Sequence, residues 1–146
     1  MYVRELTVRF RQRRIAGRTA PSRICEPRDA VVLLVPVLGR EVVEVCGVLC
    51  LSARNDLLAY HELSRGTLDM SIVHPRDLFR SALLAHASTV VVAHNHPSGD
   101  PRPSVEDVAL TKRLKAAGAL IGVTLADHLI VALNGQYYSF KEAGVL

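Results

Sequence analysis

The chain has 146 residues, 49% hydrophobic and 22% charged, which is typical of one globular domain. Its apolar runs, such as residues 30–38 and 45–51, are too short to span a bilayer, and its amino terminus lacks the apolar core of a secretory signal. The three cysteines, Cys25, Cys46 and Cys50, contain no CxxC pair. This argues against a disulfide framework and favours a reducing cytoplasm.

The net charge of +4 is unevenly distributed along the chain. Residues 1–28 contain eight arginines against two glutamates, and the remainder is close to neutral. A basic arm at residues 4–23 could bind DNA phosphates. A solvated edge strand that is protected by its charges explains the same pattern.

The first predicted elements are a strand and a helix. Residues 3–12 alternate apolar and polar side chains, which predicts a half-exposed strand, and residues 13–24 are expected to form a loop. A helix is expected to begin at Pro27 and to end at Gly39. Pro36 weakens this helix because proline removes a backbone hydrogen bond.

Two hydrophobic segments then predict a β-hairpin. Residues 42–52 are strongly apolar, Asn55 and Asp56 indicate a turn, and a second strand is expected near residues 57–63. Residues 66–73 are expected to be irregular or a short strand.

The second half of the chain mixes helical and strand patterns. Together with the hairpin, this predicts an α+β fold, an α/β sandwich in which helices flank a mixed, mostly antiparallel sheet. The predicted elements are a helix over 74–87, a buried strand over 89–93, a helix over 104–117 ended by Gly118, and strands over 121–133 and 137–140 joined by a turn at Asn134-Gly135.

A histidine pair at the end of the buried strand is the main functional signal. Because strand side chains alternate, His94 and His96 point to one face. Asp107 lies in the first turn of the next helix, and the intervening loop can bring it towards them. Two imidazoles and a carboxylate suit catalytic Zn²⁺, with the fourth position left to water. The alternative is that Ser104 and Asp107 form a helix capping box, which needs no metal.

The spacing H-x-H-x7-S-x2-D, from His94 to Asp107, resembles that of the JAMM (JAB/MPN) metalloproteases. The resemblance to their RadC-type branch covers roughly residues 27–146 and implies a JAB/MPN-like, cytidine-deaminase-like fold. Residues 1–26 would be a basic strand and loop of the same domain. We expect a stand-alone form without the helix-hairpin-helix DNA-binding region that RadC proteins commonly carry. The matching segments are "GT" at 66–67, "VHPRDLFRSAL" at 73–83, "AHNHPSGDPRPSVEDVALTKRL" at 93–114, "DHLIVA" at 127–132 and "YYSFKEAGVL" at 137–146.

The resemblance also implies a general base and an oxyanion donor. Glu44 would be the base, and a carboxylate in an apolar strand is costly unless it has a use. Its alternative is a plain edge charge; Glu41 is expected at the exposed start of the strand, and Glu62 is expected to be solvated. Ser104 matches the serine that hydrogen bonds the developing oxyanion, with helix capping as its alternative.

Three further residues lie within the motif or are expected near it. Asp127 and His128 are expected either to orient a metal ligand or to make purely structural hydrogen bonds. Asn95 agrees with the RadC branch and differs from the Ser or Thr of deubiquitinating members, so ubiquitin is not implied as the substrate.

The sequence therefore predicts a zinc-dependent hydrolase, a JAMM-type metallopeptidase or isopeptidase that acts on a peptide or isopeptide substrate. One alternative is a DNA-associated protein or metal-dependent nuclease that uses the basic arm. Another is a metal-binding interaction module without catalysis.

Overall fold

A computed structural model of the protein describes residues 1–14, 21–66 and 73–146. These residues form a five-stranded sheet with helices on both faces, which confirms the predicted α+β fold. No helix among them is both long enough and apolar enough to cross a membrane. The elements are α1 (Pro27–Leu34), a π-helical turn (Val35–Gly39), β1 (Val45–Leu51), β2 (Leu57–Arg65), α2 (Pro75–Leu84), β3 (Thr89–Asn95), α3 (Val105–Ile121), β4 (Thr124–Val131) and β5 (Tyr137–Ser139).

The sheet order is β2-β1-β3-β4-β5. β3 and β4 are parallel and are connected through α3, whereas the other neighbouring pairs are antiparallel. The predicted hairpin of β1 and β2 and the mostly antiparallel sheet are confirmed. Residues 96–104 connect the carboxyl end of β3 to the amino-terminal end of α3. This connection contains His96 and Ser104 of the motif, and Asp107 follows in the first turn of α3.

The alternation of β3 side chains separates two hydrophobic cores. Val90 and Val92 pack with α2 and α3, whereas Val91 and Ala93 pack with α1 on the opposite face. Cys46 and Cys50 lie in the α2/α3 core. Each large side chain buried in these cores stabilises the fold by about 2 kcal/mol.

The first helix confirms the predicted start and end. Pro27 occupies the first turn, and the Asp29 carboxylate accepts the backbone N–H of Glu26 at 3.0 Å. The last five residues, up to Gly39, form the π-helical turn that contains Pro36. Proline lacks the N–H that an α-helical turn would need at this position, which explains the wider turn.

The predicted strand over residues 3–12 is wrong. Residues 1–14 contain no strand and are exposed along their length, including Leu6 at 80% and Phe10 at 64%. Alternating side chains are compatible with a strand, but a strand forms only when its backbone finds a partner edge. The predicted loop over 13–24 and the segment 66–73 lie largely outside the described residues.

The predicted end of α3 at Gly118 is also wrong. The helix continues to Ile121 and ends at Gly122, which has the left-handed φ of 84°. Gly118 is needed for packing, since a Cβ there would lie 2.4 Å from the carbonyl oxygen of Val123. The following strand therefore begins at Thr124 and not at Ile121.

Candidate metal centre

The two histidines of the motif meet at the end of β3. The His94 side chain is fully buried and that of His96 is 18% exposed, and their Nε2 atoms lie 3.0 Å apart. The Nδ1 of His96 lies 2.8 Å from the carbonyl oxygen of Asp100. Since a carbonyl only accepts, Nδ1 carries the proton, and the Nε2 of a neutral His96 has a free lone pair.

Asp107 combines the two roles that the sequence left open. Its Oδ2 accepts the backbone N–H of Ser104 at 2.8 Å, and the Ser104 hydroxyl oxygen accepts the backbone N–H of Asp107 at 3.1 Å. Its Oδ1 is buried and has no hydrogen-bond partner within the described part of the chain. That oxygen lies 3.2 Å from His94 Nε2. The capping box therefore leaves one carboxylate oxygen directed at the histidines.

Glu44 approaches the same histidines from the position immediately before β1. Its side chain is 12% exposed, and its Oε1 lies 3.8 Å from His94 Nε2. Glu44, His94 and His96 offer ligand atoms that lie within 4.8 Å of one another, a spacing compatible with a metal ion. Asp107 is outside that group but lies closer to both imidazoles, at 3.2 and 3.4 Å. We therefore regard Asp107 as the better candidate for the carboxylate ligand.

Burial and charge shift the pKa values of the two carboxylates in opposite directions. Burial raises the pKa of Glu44 above its ordinary value, although the histidines partly oppose this. Burial also disfavours ionised Asp107, but the adjoining His94 and His96 imidazoles outweigh it and lower the pKa of that carboxyl. The surroundings thus favour the ionised form of Asp107, whereas Glu44 is the more basic of the two carboxylates.

The competing glutamates are engaged elsewhere. Arg65 binds Glu41 at 2.8 Å and Glu62 at 2.7 Å. These hydrogen bonds lower the pKa values of both carboxyl groups. Because both carboxylates are bound to Arg65, neither glutamate is free to act as the general base. Glu62 is exposed, as predicted.

A buried hydrogen-bonded chain supports His94 from behind. His94 Nδ1 lies 3.0 Å from His128 Nε2, and His128 Nδ1 lies 2.6 Å from Thr111 Oγ1. The His128 ring stacks on Phe140 with centroids 4.8 Å apart. Burial lowers the pKa of His128 well below its ordinary value. Thr111 was not predicted from the sequence, although its position one helical turn after Asp107 places both residues on one face of α3.

Asp127 has a different role from its neighbour His128. Its carboxylate accepts the Ser139 hydroxyl at 2.6 Å and the Lys141 backbone N–H at 3.0 Å. It also accepts the backbone N–H of His128 at 2.8 Å. These contacts correspond to the structural alternative for Asp127, because they join β4 to the β5 region.

Asn95, between the two histidines, points to the other face of β3. Its Oδ1 accepts the backbone N–H of Val45 at 2.7 Å. Its Nδ2 donates to the carbonyl oxygens of Glu41 and Val43 at 3.2 and 3.0 Å. Asn95 therefore holds the segment on which Glu44 is carried, a role that the sequence did not reveal.

These side chains fit a divalent metal. An imidazole lone pair on His96 and a buried oxygen of Asp107, which has no hydrogen-bond partner among the residues that the structure describes, converge beside His94. Groups of this kind are stabilised by a cation. The fold and the site together define an α+β domain with a candidate His-His-carboxylate metal centre.

The sequence comparisons agree with this class. Residues 24–145 match the family model described as "RadC-like JAB domain", and the chain belongs to that family. A UPF0758 protein of Thermotoga maritima is 51% identical over 109 residues, covering 75% of this chain and 47% of the relative. A UPF0758 protein of Methanosarcina barkeri is 40% identical over 122 residues, covering 84% and 53%. The chain thus spans about half the length of the curated relatives it matches.

Proposed function

We propose that this chain is a zinc-dependent hydrolase that cleaves amide or isopeptide bonds in peptide substrates. Membership of the JAB family and the possible metal site support a metal-dependent hydrolase-type domain. The observation that carries the proposal is the Oδ1 of Asp107, a buried carboxylate oxygen without a hydrogen-bond donor among the described residues, 3.2 Å from His94 Nε2.

His94, His96 and Asp107 would hold the metal. A bound zinc ion supplies Lewis acidity, which activates water and polarises the carbonyl group of the substrate. The protein contributes a buried anion in Asp107 and an imidazole whose direction is set by the Asp100 carbonyl. His128 would orient His94 by holding its Nδ1.

Glu44 would act as the general base. It accepts a proton from the attacking water and returns that proton to the leaving amine. Two features suit it to this exchange: its raised pKa and its partial access to solvent at the site. An exposed glutamate would be the weaker base, since its pKa would be lower.

Ser104 would stabilise the oxyanion that develops on the substrate carbonyl. Its hydroxyl oxygen already accepts the backbone N–H of Asp107, which leaves the hydroxyl proton to donate. Capping and oxyanion stabilisation are therefore compatible in the same side chain.

The test is hydrolysis of peptide and isopeptide-linked libraries by the chelated and the zinc-restored protein. Activity should return with zinc, and Glu44→Gln should lower kcat by about 10²- to 10⁴-fold while zinc remains bound. Glu62→Gln is the control and should behave as wild type. Unchanged turnover in Glu44→Gln would refute the assignment of the base. Bound zinc without turnover on any library would favour the non-catalytic metal-binding module instead.

DNA binding is a second candidate, favoured by one feature of the basic arm. Exposed arginines at positions 9, 11 and 13 line a groove of about 810 Å³ beside β2, to which none of the candidate metal ligands contributes. If the groove binds DNA, affinity should fall steeply with salt, and removal of residues 1–14 should weaken it. Salt-independent affinity, or no binding, would exclude this candidate.

A further inference from the structure

We propose that Thr111 fixes which nitrogen of His94 carries a proton, so that His94 presents a free lone pair on Nε2 to the metal. This inference rests on the proposed metal site. It assigns to Thr111 a positioning role, which it exerts through His128 without contacting the metal.

The direction of the hydrogen bonds follows from counting protons at Thr111. Its Oγ1 lies 2.7 Å from the carbonyl oxygen of Asp107 and 2.6 Å from His128 Nδ1. The carbonyl carries no proton, so the single hydroxyl proton of Thr111 must lie between Oγ1 and the Asp107 carbonyl oxygen. Thr111 Oγ1 can then only accept from His128, and His128 Nδ1 must therefore be the protonated nitrogen.

The next step passes from His128 to His94. His128 is fully buried, and burial disfavours a charged imidazole. A neutral ring with its proton on Nδ1 has a bare Nε2, which accepts a hydrogen bond from His94 Nδ1 across 3.0 Å. Neutral His94 then has its lone pair on Nε2, the atom that faces His96 and Asp107.

The opposite arrangement would compete with the metal. If His128 carried its proton on Nε2, His94 would carry its own on Nε2. That proton would lie between His94 and two acceptors, His96 Nε2 at 3.0 Å and Asp107 Oδ1 at 3.2 Å. The polar groups of the site would then be hydrogen bonded to one another, and no cation would be needed to stabilise them. Thr111 disfavours this state, because it can accept from His128 but has no second proton to donate.

The experiment compares wild type, Thr111→Val and Thr111→Ser. Valine has nearly the shape of threonine without the hydroxyl, and serine keeps the hydroxyl as the matched control. The first readout is the tautomer of His94 and His128 in the metal-free protein, from ¹⁵N chemical shifts and long-range ¹H–¹⁵N correlations at about pH 8, above the ordinary His pKa. Wild type and Thr111→Ser should show Nδ1–H on both rings, and Thr111→Val should shift His94 towards Nε2–H.

The second readout is zinc affinity, from competition with a chromophoric chelator. Thr111→Val should bind zinc about 10- to 100-fold more weakly, and Thr111→Ser should stay close to wild type. Nε2–H on His94 in the wild type would overturn the inference, and so would a Thr111→Val affinity equal to that of Thr111→Ser. If Thr111→Val does not fold, the wild-type tautomers still decide. If wild type binds no zinc, the proposed function fails, whereas the tautomers separately test the hydrogen-bond assignment.

Discussion

Ser104 and Asp107 hydrogen bond to each other in both directions, and this pair uses only one carboxylate oxygen of Asp107. The other oxygen is buried against His94. The start of α3 is thus stabilised by the same side chain that completes the candidate metal centre. The two functions of Asp107 can be separated by substitution, because they use different atoms.

Asp107→Asn should retain the cap but lose the metal. The asparagine oxygen can accept the Ser104 N–H, so the free energy of unfolding of the metal-free protein should change by less than about 1 kcal/mol. Zinc affinity should fall at least about 100-fold, since an amide is a poor ligand in place of a carboxylate. Chemical denaturation and chelator competition measure the two effects.

Ser104→Ala should have the opposite effects, a loss of stability with little change in zinc affinity. It removes the cap, which should lower the free energy of unfolding by about 1 kcal/mol, while zinc affinity should change only slightly. Equal loss of zinc affinity in Asp107→Asn and Ser104→Ala would contradict the division of roles between the two oxygens of Asp107.

Asn95→Ala should destabilise the protein and loosen the segment that carries Glu44. The substitution leaves the buried N–H of Val45 and two carbonyl groups without their partner, for a loss of about 2–4 kcal/mol in the free energy of unfolding. Hydrogen exchange at Val45 should accelerate. The exposed Asn134→Ala, which removes one hydrogen bond to Gln136, should lose far less. Similar losses in the two variants would refute the role of Asn95.

Zinc affinity should decrease as the pH falls. The Asp107 carboxylate, 3.4 Å from His96 Nε2, favours the protonated imidazole and raises the pKa of His96 above the ordinary value of 6.5. The metal-free protein therefore tends to hold a proton that zinc must displace. The apparent affinity should therefore fall about tenfold per pH unit below the His96 pKa and level off above it. His86→Gln, at an exposed position, should follow the wild-type curve. A flat profile between about pH 6 and pH 8 would show that no such proton is displaced.

Gly118→Ala should destabilise the protein although alanine favours helices. The new Cβ would lie 2.4 Å from the Val123 carbonyl oxygen and 3.1 Å from Phe79 Cζ. Backbone displacement should outweigh the gain of about 1 kcal/mol in helix propensity, so the melting temperature should fall. A raised melting temperature would mean that α3 and the Val123 carbonyl can separate enough to admit a methyl group.

The local parts of the site could be predicted from the sequence. The period of a strand places His94 and His96 on one face, and a short loop with a capping signal brings Asp107 back to them. Both relationships involve neighbours in the chain. Thr111 and Asn95 could not be predicted in the same way, because their contacts reach across 17 residues to His128 and 50 residues to Val45.

The two errors in the fold have the same origin. The alternation in residues 3–12 describes a backbone that could pair, but pairing depends on an available sheet edge, which the sequence does not show. Glycine is the residue type that most often ends a helix, so the sequence alone predicts an end at Gly118. Only the approach of the Val123 carbonyl shows that Gly118 is a glycine because of packing. Local patterns predicted most of the elements, whereas contacts with other parts of the chain decided whether residues 3–12 form a strand and where α3 ends.

Anomalous diffraction at the zinc absorption edge, from crystals of the zinc-loaded protein, tests directly whether His94, His96 and Asp107 form one metal site. We predict one peak bounded by His94 Nε2, His96 Nε2 and an oxygen of Asp107, each at about 2.0–2.2 Å from the ion. A zinc peak elsewhere, or an Asp107 carboxylate turned away from the bound ion, would refute the proposed metal centre.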